Sequence, residues 1–180
     1  MTIGMRKLPE VVLRITEILV LDPLSRWWAR LSLYLWGAKV GKGFKVRGRI
    51  RLRLQGDVRI GNHVRLRSGY SNYVGASEPM AIFVFAGGML KIGDHCGLSN
   101  STIVCQQQIE ILDGTWVGGG CKIYDTDFHQ LNAMARLADQ GPVTVAPIRI
   151  GPRAFVGSHC TVLKGVTIGE KARSSAPAAW

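Results

Sequence analysis

The chain has 180 residues, 47% of them hydrophobic and 19% charged, a balance that excludes intrinsic disorder and allows one domain with a real core. It holds 23 Lys and Arg against 12 Asp and Glu, and the excess is confined: residues 1–70 carry fifteen basic and four acidic side chains, residues 71–180 eight of each. Four cysteines without a secretory signal argue against a disulfide scaffold.

The first 37 residues read as two amphipathic helices. Pro9 opens the first, with Val11, Val12, Ile15, Ile18 and Leu19 at helical spacing. Arg14 and Glu17 interrupt it, so no uncharged run reaches the ~20 residues that span a bilayer. Asp22-Pro23 restarts a helix whose apolar face is Leu24, Trp27, Trp28, Leu31 and Leu35, and Gly37 ends it. Two compatible roles follow. The helices cap what comes next, burying Trp27 and Trp28 there, or they join the basic residues in a peripheral contact of residues 1–53 with an anionic membrane surface.

From residue 38 to 173 the period changes to six. Ile150, Val156, Val162 and Ile168 are each six apart, and Ala154, Cys160, Val166 and Ala172 keep a second phase of small residues. The aliphatic phase recurs at Ile92, Leu98 and Val104, at Ile111, Val117 and Ile123, and more weakly at Val40, Val46 and Leu52 and at Ile60 and Leu66. Such a period predicts a mainly β solenoid of hexapeptide repeats, with three short strands per coil and coils stacked at about 4.8 Å. Loops interrupt it at about 70–89 and 130–147, and the tail 174–180 carries no repeat.

Within that frame Cys96, Cys121 and Cys160 fall on the small inward slot and Cys105 follows an aliphatic, so all four read as buried structural thiols. His63, His95 and His159 share the fourth place of their hexapeptides, an outward corner. His129 stands apart. It closes Ile123-Tyr124-Asp125-Thr126-Asp127-Phe128-His129 just before the second interruption, and an imidazole beside two carboxylates has the parts of a general base.

These features together resemble the hexapeptide-repeat acyltransferases, in particular the sugar O-acetyltransferase branch of polysaccharide and lipopolysaccharide biosynthesis. The resemblance runs over about residues 25–173 and rests on Trp36 through Gly41, the repeats, Asp125-x-Asp127-x-His129, and Ile150 through Gly169. It implies a left-handed parallel β-helix that assembles as a homotrimer, binds acetyl-CoA between neighbouring solenoids and needs no metal. Carried over, it makes His129 the base and Asp127 or Asp125 its orienting partner. It places Gly157 and Ser158 on the pantetheine arm, Trp116, Gly118 and Gly119 on the groove wall, and Lys164 near a CoA phosphate. The expected location is cytoplasmic, and where the N-terminal residues take the membrane-contact role, peripheral on the inner face of the membrane. The chain departs from the pattern after Arg173, where Ser174 to Trp180 replace a further coil and a basic segment, which predicts a weaker grip on the nucleotide.

Three activities follow as expectations: acyl transfer from acyl-CoA to a carbohydrate hydroxyl, a non-catalytic assembly or binding role, and a metal-dependent hydratase of the carbonic-anhydrase type. The last requires three converging imidazoles, and His63, His95, His129 and His159 show no close spacing. Nucleic acid is not expected as a partner, because no recognition module accompanies the basic run from Lys39 to Arg53.

Overall fold

The computed structural model describes residues 22–69, 72 and 78–174. The expected first helix and the last six residues of the tail lie outside them. Helix α1 (Asp22–Leu35) leads in and ends in a Schellman turn: Ala38 N–H donates to Leu33 C=O, Gly37 N–H donates to Tyr34 C=O, and Gly37 takes the positive φ of 74° that this turn requires. The helix reaches the solenoid through Ala29 and Leu33, which are buried. Trp27 and Trp28, expected to be buried by a cap, are 75% and 61% exposed. A helix one turn long between Ala29 and Leu33 brings its small side inward, which turns both indoles outward.

Among the described residues sixteen short strands follow, three to a coil, in three all-parallel sheets. Face A carries β1 (Lys39–Val40), β4 (Asp57–Ile60), β7 (Met89–Ile92), β10 (Gln108–Ile111), β13 (Ile148–Ile150) and β16 (Thr167–Ile168). Face B carries β2 (Lys45–Arg47), β5 (Arg65–Arg67), β8 (Gly97–Ser99), β11 (Trp116–Val117) and β14 (Phe155–Val156). Face C carries β3 (Arg51–Leu54), β6 (Ala81–Val84), β9 (Thr102–Cys105), β12 (Lys122–Tyr124) and β15 (Thr161–Leu163). The arrangement is consistent with a left-handed parallel β-helix preceded by a helix.

The six-residue period becomes three vertical columns of inward aliphatics. On face A, Ile60, Ile92, Ile111, Ile150 and Ile168 are paired coil upon coil. Val46, Leu66, Leu98, Val117 and Val156 form the column of face B. On face C the column is Leu52, Ile82, Ile103, Ile123 and Val162. Ile103 therefore holds the place that the six-residue period assigned to Val104. The corner around Asn100 (φ 35°) is one residue shorter, which advances the phase. The first interruption is also shorter than 70–89, because Ala81–Val84 is a strand and the next coil begins at Met89.

Small residues in the second phase satisfy their own polar atoms by donating to the next coil. Cys96 Sγ donates to Leu112 C=O, Thr115 Oγ1 to Gly151 C=O, Ser101 Oγ to Gly118 C=O and Cys121 Sγ to Gly157 C=O. All four cysteines are free and buried. Burial pushes the thiols of Cys96 and Cys121 up to about 11 and that of Cys105 up to about 12, which makes them inert structural groups.

Corners carry a polar ladder between faces A and B. Asn62 Oδ1 accepts from Lys42 N–H, Asp94 Oδ1 from Asn62 N–H, and Asp113 Oδ1 from Asp94 N–H. His63 and His95 sit at this corner, exposed, with φ of 56° and 59° and rings stacked 5.0 Å apart. His159, with φ 60°, occupies the corner between faces B and C.

Candidate active site

The chemistry-bearing residues gather where face C turns into face A in the fourth coil. There the chain leaves the solenoid after β12, runs out through helix α2 (Ala133–Leu137), and returns at β13. The neck of this excursion is closed by an antiparallel bridge between Thr126 and Val145, with Asp127 N–H donating to Thr144 C=O and Ala146 N–H to Asp125 C=O.

Asp125 is fully buried at the root of the neck. Its Oδ1 accepts from Gln106 N–H at 2.7 Å, and its Oδ2 accepts from Gln107 and Gln108 N–H, each at 2.8 Å. The carboxylate thus clamps the corner of the coil below, as Asp94 and Asp113 do elsewhere. Both of its oxygens are taken, so of the two carboxylates expected to serve the imidazole, Asp125 is committed to the backbone.

Asp127 is differently placed. Its Oδ1 pairs with Lys164 Nζ at 2.8 Å, in a setting that leaves the two side chains 14% and 24% exposed. Its Oδ2 is buried and has no hydrogen-bond partner among the described residues. A buried acceptor left empty is unfavourable by about 1–3 kcal/mol, so it marks a place where a donor belongs. Lys164, expected near a CoA phosphate, is held by this carboxylate.

His129 is two residues further on. Its N–H donates to Asp127 C=O at 2.7 Å, closing a three-residue turn around Phe128, whose φ is +63°. An aromatic residue in this left-handed region is strained by about 1–3 kcal/mol and persists only where its surroundings over-determine it. Two contacts do so: Phe128 N–H donates to Thr126 Oγ1, and its ring meets Tyr124 edge-on at 5.1 Å. The turn leaves His129 exposed at the lip of the excursion. Burial, and after it the charge of Glu78, raise the Tyr124 hydroxyl pKa, so the end of the first excursion approaches the same corner.

The other expected residues lie at the opposite edge of face C, where face B turns into it. One flat side of a coil, about 15–20 Å, separates the two corners. Trp116 is 51% exposed and paired with Phe155, which is 48% exposed. Its ring covers Gly97, where an added Cβ would come within 2.8 Å of it. Gly118 lies directly under the next coil, its missing Cβ 2.6 Å from Ser158 N. Gly119 C=O accepts from His159 N–H, and Gly157 is buried. The fold therefore brings His129, Asp127, Asp125 and Lys164 together at one corner and Trp116, Gly118, Gly119, Gly157 and Ser158 at another.

Within one chain the four histidines occupy three different corners, and the described residues contain no group of three His, Cys, Asp or Glu arranged to hold a metal ion. The pairing of Lys164 with Asp127 and the Gln106–Gln108 clamp were not visible in the repeat. The signal for the clamp was present all the same, since Asp125 follows Gln106 by about one coil, the spacing of the Asx ladder.

No family model matches the chain, and no solved structure matches it. Among curated proteins it is similar to a probable acetyltransferase of Mycobacterium tuberculosis, with 28% identity over 155 residues, which is 81% of this chain and 47% of that protein. The chain spans about half the length of the curated relative it matches.

Proposed function

We propose that the protein is an acyltransferase that moves an acetyl group from acetyl-CoA to a hydroxyl of a carbohydrate, with His129 as general base. The observation that carries this reading is the buried, unpartnered Oδ2 of Asp127, two residues before an exposed histidine set on a strained turn. Lys164 holds the other oxygen and keeps the carboxylate in place. In the reacting arrangement the imidazole turns onto Asp127 Oδ2, which accepts one ring N–H, leaves the second nitrogen free to take a proton and stabilises the imidazolium once it has done so. The likeness to a probable acetyltransferase supports the reaction class.

The acceptor oxygen attacks the thioester carbonyl carbon as its proton passes to His129. The tetrahedral intermediate then collapses with cleavage of the carbon–sulfur bond, and the CoA thiolate recovers the proton from the imidazolium. The separation of the two corners by one face fits a homotrimer, in which the His129 corner of one solenoid faces the Trp116, Gly157 and Ser158 corner of its neighbour across the donor groove.

Release of free thiol from acetyl-CoA, followed with a panel of sugar acceptors, tests the proposal. His129→Ala lowers turnover roughly 10²–10⁴-fold while leaving the fold intact, since the side chain is exposed. Asp127→Asn lowers turnover by a smaller factor. Transfer at the wild-type rate by His129→Ala sinks the assignment, and absence of acceptor-dependent thiol release from the wild type sinks the activity.

A further inference from the structure

Helix α1 has two apolar sides. Ala29 and Leu33 face the solenoid; at about 100° per residue, Leu24, Trp27, Trp28, Leu31, Tyr34 and Leu35 form a stripe centred on the opposite side. These six side chains are between 39% and 79% exposed. Arg26 and Arg30 lie on one flank between the two sides, and Arg30 Nη2 donates to Phe44 C=O at 3.1 Å, which ties that flank to the first coil.

Next to that flank, the first two coils of face B point only cations outward. Lys45 is paired with Arg65 and Arg47 with Arg67, all four exposed, and no strand of face B carries an acidic residue. Like charges at directly paired positions repel, and their positive field favours an anionic surface over this face. Together with Arg26 these side chains line a groove of about 580 Å³. Arg26 also lines a hollow with Trp27, Arg30, Leu31 and Tyr34, so the cationic groove and the apolar stripe are continuous.

We propose that this composite surface seats the protein on an anionic lipid bilayer, with lipid phosphates in the face B groove and the α1 stripe among the upper acyl chains. A soluble polyanion would satisfy the cations and leave six large apolar side chains in water. A second copy would cover the stripe and bring two cationic grooves together. An anionic bilayer complements both, and tryptophan and tyrosine flanked by arginine match its interface. The described helix is not long and apolar enough to cross a membrane, so the contact is peripheral. This inference stands apart from the acyl-transfer reading.

The test is sedimentation of the full chain with vesicles of phosphatidylcholine alone and with roughly one-third phosphatidylglycerol. The protein sediments with the mixed vesicles, not with the neutral ones, and salt releases it. Arg65→Gln with Arg67→Gln weakens partitioning about 30-fold. The melting temperature of this variant stays level or rises, because repulsion is relieved. Brominated acyl chains quench the tryptophan fluorescence of the wild type, and quenching largely disappears in Trp27→Phe with Trp28→Phe. Equal sedimentation with neutral vesicles, or none with either, overturns the proposal. So does binding of inorganic pyrophosphate or of RNA without vesicle binding, a lower melting temperature in the arginine variant, or a concentration-dependent dimer lost on Trp27→Ala with Trp28→Ala.

Discussion

Replacing Asp125 by Asn separates the two carboxylates by role. In the native protein one buried carboxylate receives three backbone N–H groups, from Gln106, Gln107 and Gln108, at 2.7 to 2.8 Å. Asparagine offers one oxygen and one NH₂ group. If the oxygen keeps the two donors from Gln107 and Gln108, the NH₂ faces the N–H of Gln106, donor against donor. A hydrogen bond to a charged group contributes about 1.5–3 kcal/mol, so losing one and weakening two costs about 3 kcal/mol. Asp125→Ala removes all three acceptors and costs somewhat more, about 4 kcal/mol, with water reaching the exposed Gln106 and Gln107 and limiting the loss. For a chain of this size that corresponds to melting temperatures lower by roughly 6–12 °C for Asp125→Asn. Thermal unfolding followed by circular dichroism measures it, and activity is assayed well below both midpoints. Asp125→Asn then retains far more turnover than His129→Ala. A midpoint shifted by less than about 2 °C would refute the clamp, and turnover as low as that of His129→Ala would return Asp125 to the chemistry.

Gly118→Ala forces a Cβ to within 2.6 Å of Ser158 N, a backbone atom that cannot swing aside, and lowers stability by about 1–3 kcal/mol on denaturant titration. The four cysteines react with a thiol reagent only on unfolding, because all are buried. Stability also falls in alkali. Burial raises Cys96 and Cys121 to about 11 and Cys105 to about 12 from 9.0, so the unfolded chain releases these protons first as pH climbs. The folded state then holds more protons than the unfolded one, and stability declines from about pH 9 toward 11–12. Cys105→Ala reduces the slope; an unchanged slope in that variant would contradict the assignment.

The repeat was legible because an inward column needs an aliphatic at every place where a strand passes it, and Ile150, Val156, Val162 and Ile168 keep strict count. Counting failed where a corner changed length. Five residues, not six, separate Leu98 from Ile103, and a period fitted to the clean coils then points to Val104. It failed also on α1, where helical spacing identifies an apolar face at Trp27 and Trp28 but does not say which side meets the solenoid. Ala29 and Leu33 meet it, because a small side chain permits close approach.

At the candidate site the local pattern Asp125-x-Asp127-x-His129 singled out one segment and left its carboxylates equivalent. Their difference is a matter of neighbours about one coil below and one coil ahead: Gln106 to Gln108 claim Asp125, and Lys164 claims half of Asp127. The confinement of the positive charge to the first 70 residues is likewise a property of sequence. That Lys45, Arg47, Arg65 and Arg67 share one face beside an exposed aromatic stripe is a property of register. Sequence by itself determined the periodicity, since burial of a continuous column imposes it residue by residue. Only the tertiary structure decided which polar groups meet, because stacking brings together side chains a full coil apart.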